Sequence, residues 1–560
     1  MNRKNQIEHL KTLASEQMQV ANWSPFYDWV PKPLGVLILL LMFFPPTFSG
    51  GAYVVNVSEM AGGLGIWTED VQMASQFVFI GMSIFLPMMS QYLQVRRPKQ
   101  TYLYCYIVLT VFNLICAITD SMPVLLLSCI VIGFARIIVM LNCTMTLLFY
   151  VTGINTADMF SMKRMPQPEL QDIMDHARGL GVPIIYFYVL FIFQMTNLAT
   201  AWFAYHYTWK YTYYFVMGML FVGMLLILLT MRNEEETKTY KIEWKKVPDL
   251  LLMGIFMGSM AIFLGYGDKM DWLSSTSMRV ALAVMLFSGG LFCWRASQQG
   301  EKGYLNYGIF NYRNVWVACF LFMITIILNF SNTFVGAYAK ISTPINDLKS
   351  ASLYGWAIVG LFCGLFLSLL LGLRRTHYRL TFVISLLLMV ASNFYMYFQF
   401  QTNGYFPNLI IPMILEYAAL VMVYSLPASF GMLKLPPQYL VTFVFLMIGI
   451  RNGFAPIIGS SAYNTWLTHK QQHYVTRLAN QVDHEHPAAE ITYKAAVRQG
   501  MGRGMGTYGA SQLATTVVKG RVVKQATLVA MKDICGTTVI LLLGVTTIVI
   551  LIPYHKNETI

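Results

Sequence analysis

PVLLLSCIVIGFARIIVMLNCTMTLLFY, residues 123–150, holds one charged side chain, Arg136, in 28 positions. A helix crosses the hydrocarbon core of a bilayer with about 20 apolar residues, so this run is long enough to span a membrane. Thirteen similar runs lie near 34–56, 71–93, 102–118, 182–204, 212–231, 248–266, 278–296, 314–337, 353–373, 379–399, 407–427, 438–460 and 534–553. Of the 560 residues, 56% are hydrophobic and 12% charged, where a soluble domain carries about a quarter of its residues as charges. Mean hydropathy is +0.54. An ordinary soluble protein is excluded, and the fold class is all-α: a polytopic, multi-pass helical membrane protein of about fourteen spans.

Basic residues orient the spans, because cytoplasmic loops are enriched in Lys and Arg. With both termini cytoplasmic, 23 of the 39 Lys and Arg fall inside. Five lie in short outer loops, at Lys210, Lys269, Arg279, Lys340 and Lys349, and Arg136 and Arg451 lie within spans. The other nine occupy 461–533, which is expected outside; long loops translocate largely regardless of charge. The net charge of +13 is therefore read as topology, and no nucleic acid is expected as a partner. The first thirty-odd residues are polar and lack the short apolar core of a signal peptide. The first span is expected to remain as a signal anchor.

Eight cysteines are scattered singly in or beside apolar runs, without the close pairing of a metal or redox motif. No phosphate-cradling G-x-x-x-x-G-K-[ST], no H-E-x-x-H and no nucleophile elbow is present. An ATP motor and an enzyme are not expected; no catalytic residue, metal or cofactor site is assigned.

Paired arginines close the second and tenth runs, Arg96–Arg97 and Arg374–Arg375, eight spans apart. Two six-span bundles separated by an extra pair would put these loops at matching positions, as candidate gating loops. The expected organisation is a cytoplasmic tail at 1–33, an N-terminal six-helix bundle at 34–231 and a linker at 232–247. A two-span insertion follows at 248–297, then a loop at 298–313 and a C-terminal bundle at 314–560. An inner insert at 154–181 contains PELQDIMDHARGL, read as a short interfacial helix with Pro168 at its start. The external segment 461–533 reads as helices near 463–482 and 488–499 followed by a glycine-rich hinge, GMGRGMGTYG at 500–509.

Ionisable side chains inside spans cost about 2.5–3.5 kcal/mol each on insertion scales and mark functional sites. Four qualify: Glu59, Arg136, Glu416 and Arg451. Arg136 has no acidic residue near it in sequence and needs a partner from another helix or a wet cavity. Glu416, in LIIPMILEYAALVMVY (409–424), has only apolar and aromatic neighbours, a setting that lets a carboxyl exchange a proton near neutral pH. Glu59 lies toward the outer end of the first span. Arg451 is flanked by Gly449, Gly453 and Gly459, which permit close helix packing.

These features resemble the major facilitator superfamily, specifically its fourteen-span drug:proton antiporters of the EmrB/QacA type, over nearly the whole chain. AYVVNVSEMAGGLGIWTED, with Asn56–Val57, looks like the first span and outer loop. CIVIGFARIIV looks like the fourth-span motif whose arginine, here Arg136, is tied to proton coupling. HYTWKYTYYF at 206–215 is similar to the start of the sixth span. RNGFAPIIGSSAYNTWLTHKQQHYVTRLANQV with KGRVVKQATLVAMKDIC resembles the thirteenth span with its arginine (Arg451), the external helix, and the start of the last span (Gln525, Ala526, Ala530, Asp533). The chain departs from the family in QYLQVRRPKQ, which lacks the family's Gly and Asp, and in 182–204, which lacks a Gly-Pro…Gly-Gly signature.

The resemblance implies an integral protein of the plasma (inner) membrane that exports small amphipathic or lipophilic compounds against protons by alternating access. In bacteria with two membranes it also implies a periplasmic adaptor and an outer-membrane channel as partners, beside the surrounding membrane lipids. Glu59, Arg136, Glu416 and Arg451 are then the proton-coupling and transport candidates, and Arg96, Arg97, Arg374 and Arg375 the gating ones. Two alternatives stay open: a dedicated transporter of one endogenous metabolite or lipid, and a non-transporting membrane scaffold or sensor.

Overall fold

The computed structural model describes residues 24–85, 98–152, 168–233, 244–300, 303–343, 346–481 and 487–552. The described residues are helical almost throughout, with one isolated bridge, Phe26 to Met231. Twelve helices, from Pro98–Ile118 to Thr507–Leu551, are long and apolar enough to cross a membrane. The protein is an all-α, polytopic membrane protein. The first expected span is a broken helix over 32–64; the described part of the second is Thr68–Ile84, and the rest of that run lies outside the described residues.

The break in the first helix follows from its sequence. Pro45 and Pro46 have no N–H to donate to the preceding turn, and helix gives way to a stretch around Ser49–Tyr53 before resuming at Val57–Leu64. Carbonyls in and around the break must be satisfied internally at membrane depth. Buried hydroxyls do this. Tyr188 Oη donates to Leu40 O at 2.5 Å, Tyr106 Oη to Met42 O at 2.7 Å, Tyr53 Oη to Phe48 O at 2.7 Å and Tyr213 Oη to Gly51 O at 2.6 Å. The break is thereby built into the core formed by residues between Phe26 and Met231.

Helices Arg313–Asn329, Leu353–Leu373, Tyr378–Gln399, Ile410–Gly431, the segment from Pro437 to Ala479, and Thr507–Leu551 enclose two further apolar clusters. Small residues set the closest approaches in both halves. A Cβ on Gly133 would stand 2.0 Å from Val78 O, and one on Gly364 2.3 Å from Ala418 O. Only glycine allows backbones this close.

The two halves meet along Pro168–His206, which packs on Leu353–Leu373 and Ile410–Gly431, and along Thr68–Ile84, which packs on the turn Gly449–Phe454. The pair Val247–Tyr266 and Thr276–Gln299 lies beside this seam, touching Thr68–Ile84 and Ala455–Ala479. Within the pair, buried Asp249 accepts from Arg295 Nε at 2.6 Å and Gln299 Nε2 at 2.7 Å.

Three local expectations change. PELQDIMDHARGL does not form a separate helix but runs on as Pro168–His206, because Pro183 costs one backbone bond without stopping the helix. The chain after the thirteenth run is also continuous to Ala479. The last helix begins at Thr507, not near 534, and its 45 residues extend about 67 Å at 1.5 Å each. Half of it therefore projects beyond a hydrocarbon core of about 30 Å. It stands against Ala455–Ala479 and Pro487–Gly502, with Lys470 Nζ 2.7 Å from Asp533 Oδ2 and Gln471 Nε2 donating to Thr527 Oγ1 at 2.8 Å. The glycine-rich stretch turns where expected, with Gly504 at φ +80° between two helices.

Candidate functional site: a cavity between the bundles

A cavity of about 410 Å³ opens between the halves, toward the side that the charge bias assigns to the outside. Glu59 and Asn56 line it from the first helix, Asn329, Asn332 and Lys340 from the 313–342 segment, and Tyr417 and Tyr424 from Ile410–Gly431. The 313–342 segment tightens through a single turn at Phe330–Asn332, with Asn329 just before it and Asn332 at its end. Their Oδ1 atoms are buried without a hydrogen-bond partner. Asn56 Nδ2 donates to Thr200 O at 3.2 Å, tying the first helix to Pro168–His206.

Tyr424 sits deep along its helix, seven residues or about 10 Å below Tyr417. Behind it lies Arg451, whose guanidinium carbon is 5.2 Å from the Tyr424 ring centroid and 5.4 Å from that of Tyr186. The two rings are 6.1 Å apart, edge to face. Since Tyr186 belongs to the N-terminal half and Tyr424 to the C-terminal one, Arg451 joins the bundles through aromatic faces, an attraction strengthened where water is excluded. Arg451 occupies a π-helical turn, Gly449–Phe454. Such single wide turns interrupt α-helices often at functional positions. Of the glycines around it, Gly453 and Gly459 stand against Met257 and Phe330, while Gly449 faces open space.

Arg136 is 5% exposed, with its Nε unpartnered. It lies within electrostatic reach of Arg451 and of Tyr53 in the break of the first helix. Neither arginine forms an ion pair with a carboxylate among the described residues.

Glu416 is not among the cavity-lining residues, although its neighbour Tyr417 is. At 1% exposure it points into the C-terminal bundle near Ser392, Tyr463 and Cys535. Neither carboxyl oxygen meets hydrogen-bond geometry with a described residue. The Ser392 hydroxyl beside it donates instead to Pro412 O at 2.9 Å. The four ionisable candidates thus separate into Glu59 on the cavity wall, Arg451 against Tyr424, which also lines it, Arg136 buried in its own helix, and Glu416 within the C-terminal bundle.

Arg374 and Arg375 are exposed at the end of Leu353–Leu373, with Arg375 at φ +48°. Arg96 and Arg97 lie outside the described residues. Lys340, Tyr186 and Tyr424 were not singled out from sequence. The seven-residue spacing of Tyr417 and Tyr424 puts them on one helix face and was a usable signal; nothing local marks Tyr186.

No family model matches the chain. Colistin resistance protein EmrB from Acinetobacter baumannii is 21% identical over 263 residues, 46% of this chain and 46% of that protein, so the chain aligns with about half the length of this curated relative. A crystal structure of a variant of the peptide transporter POT superposes with a TM-score of 0.52 at 12% identity, covering 96% of this chain and 98% of that one. The same variant in complex with alafosfalin gives 0.51 at 12% identity with the same coverage. The chain shares the fold of these peptide-transporter structures. The chain is integral to the membrane and multi-pass, and over part of its length it is similar to EmrB.

Proposed function

We propose that the protein exports amphipathic or lipophilic compounds across the plasma (inner) membrane in exchange for protons, by alternating access. The observation that carries this reading is the cavity: it opens between the bundles, on the side that the charge bias assigns to the outside, and its wall includes Tyr424, whose ring meets Arg451 and Tyr186 in a junction that has to part for the site to face inward. Apolar and aromatic walls suit a lipophilic body, and the two unpartnered asparagine oxygens can accept from a polar one. Glu59 can bind a proton directly from the outer solution. Glu416 is the second carrier: an ionised carboxylate without hydrogen bonds is costly to bury, and a bound proton removes that cost. One charge moved across 100 mV supplies about 2.3 kcal/mol. Where a periplasmic adaptor and an outer-membrane channel are available, the three-helix module around Pro487–Gly502 is the surface for docking.

The test is substrate-induced proton movement in proteoliposomes under an imposed pH gradient, with lipophilic cations, anions and neutral amphiphiles. Flux with several unrelated compounds, lost in Glu416→Gln, supports the reading. Flux with one compound class favours a dedicated transporter, and silence across the panel in folded protein favours a scaffold or sensor.

A further inference from the structure

Asp175 lies in the PELQDIMDHARGL stretch at the inner end of Pro168–His206 and is 9% exposed. Two of its contacts point in different directions. Oδ1 accepts from Arg178 Nη1 at 3.0 Å, on its own helix. Oδ2 accepts from the Lys434 backbone N–H at 3.3 Å, in the turn that follows Ile410–Gly431 of the C-terminal half. We propose that Asp175 is the latch of the inner gate: its bond to the Lys434 N–H holds the inner ends of the two halves together and breaks each time the site turns inward. This rests on the alternating-access reading above and adds a gating residue to it.

An acid in the first turn of a helix commonly serves that helix's own N–H groups. Asp175 stands seven residues after Pro168, beyond that turn, so its carboxylate is available to another element. The turn it meets is shaped for the contact. Leu433 N donates to Phe430 O and Leu435 N to Met432 O, while Lys434 between them adopts a left-handed φ of +54° and turns its N–H to the other half. A lysine rarely takes that conformation unless its surroundings hold it there. Eleven residues further along the same helix, about 16 Å away, Tyr186 meets Tyr424 and Arg451. Pro168–His206 therefore grips the C-terminal half at two levels, by aromatic rings within the membrane and by a charged hydrogen bond at the inner end. The inner contact suits repeated breaking. When the inner ends part, Arg178 travels with Asp175 and water replaces the Lys434 N–H, so the carboxylate is never stranded. A charged hydrogen bond exchanged for water in this way shifts an equilibrium by about tenfold or more.

The experiment uses the full chain in nanodiscs, with spin labels on Ala177→Cys and Gln438→Cys, both exposed at the inner ends of their halves, and with exposed Cys293 and Cys363 changed to serine. Electron paramagnetic resonance should show mainly one short separation. Asp175→Ala should raise the ratio of long to short separations by about tenfold or more, and Asp175→Asn, which keeps an acceptor without its charge, by less. Lys434→Met removes the ammonium but not the N–H and should leave the ratio as it was. An unchanged ratio in folded Asp175→Ala overturns the latch; so does opening in Lys434→Met equal to that in Asp175→Ala. Where Asp175→Ala fails to fold, Asp175→Asn decides by the same reading. A role in packing alone would lower the thermal midpoint without shifting the ratio, and that result also overturns the latch. Because the separation is read without a transported compound, the two proposals fail apart. If the ratio shifts while the proteoliposome panel stays silent, the latch stands and transport falls. If the panel responds and the ratio does not shift, transport stands and the latch falls.

Discussion

Gly133 lies so close to Val78 that a Cβ on it would stand 2.0 Å from the Val78 carbonyl oxygen. The contact fixes Met122–Thr152 on Thr68–Ile84 one helical turn from Arg136, and so positions that arginine at the bundle seam. Gly133→Ala should destabilise the protein by about 1–3 kcal/mol, the usual cost of overpacking, because backbone cannot yield as a side-chain tip can. Gly218→Ala is the control: nothing lies within 4 Å of its Cβ position. Thermal unfolding followed by size-exclusion chromatography should show a lower midpoint for the first and an equal or higher one for the second.

Glu416→Gln should express and fold, since the amide keeps the shape and removes a buried charge. It should lose proton-coupled transport by an order of magnitude or more, while substrate exchange without a proton gradient persists. Coupled flux at the normal rate in this variant would remove Glu416 from the mechanism.

Tyr424 and Tyr186 differ from ordinary packing residues in holding Arg451 by their ring faces. Tyr424→Phe retains the ring and should leave transport near normal. Tyr424→Leu should raise KM roughly 2- to 30-fold, the equivalent of about 0.5–2 kcal/mol for a cation–π contact. Equal KM values for the Phe and Leu variants would mean that Tyr424 only fills space.

At the start of Thr68–Ile84, burial pushes the Glu69 carboxyl up, but the Lys269 ammonium at 2.5 Å, a backbone N–H and the Thr68 hydroxyl outweigh it and hold the group below its ordinary 4.5. A carboxyl whose folded value is depressed stabilises the fold above its unfolded value and loses that contribution as pH falls through the folded one. Docking of Val247–Tyr266 on Thr68–Ile84 should therefore weaken below about pH 4. Melting curves at about pH 6 and about pH 3 should differ less in Lys269→Met than in the unmodified protein.

The membrane class was legible because apolar runs of spanning length need no tertiary information. A bilayer imposes one solution on such a run, a helix with every backbone group bonded internally. The Pro45–Pro46 break was foreseeable as a helix fault, but not the tyrosines from three other helices that satisfy its carbonyls. Helix continuity was harder to read. Pro183 and the π-helical turn at Gly449–Phe454 are tolerated inside long helices because packing outweighs the loss of single backbone bonds.

Composition and run length, which decide what a bilayer accepts, are enough to establish a bundle of membrane helices with Glu59, Arg136, Glu416 and Arg451 as its anomalous charges. Which of them reach the cavity depends on how the helices pack. Helix rotation is set by neighbouring helices, and the halves' meeting along Pro168–His206 put Arg451 between Tyr186 and Tyr424, Glu59 on the cavity wall and Glu416 within its own bundle.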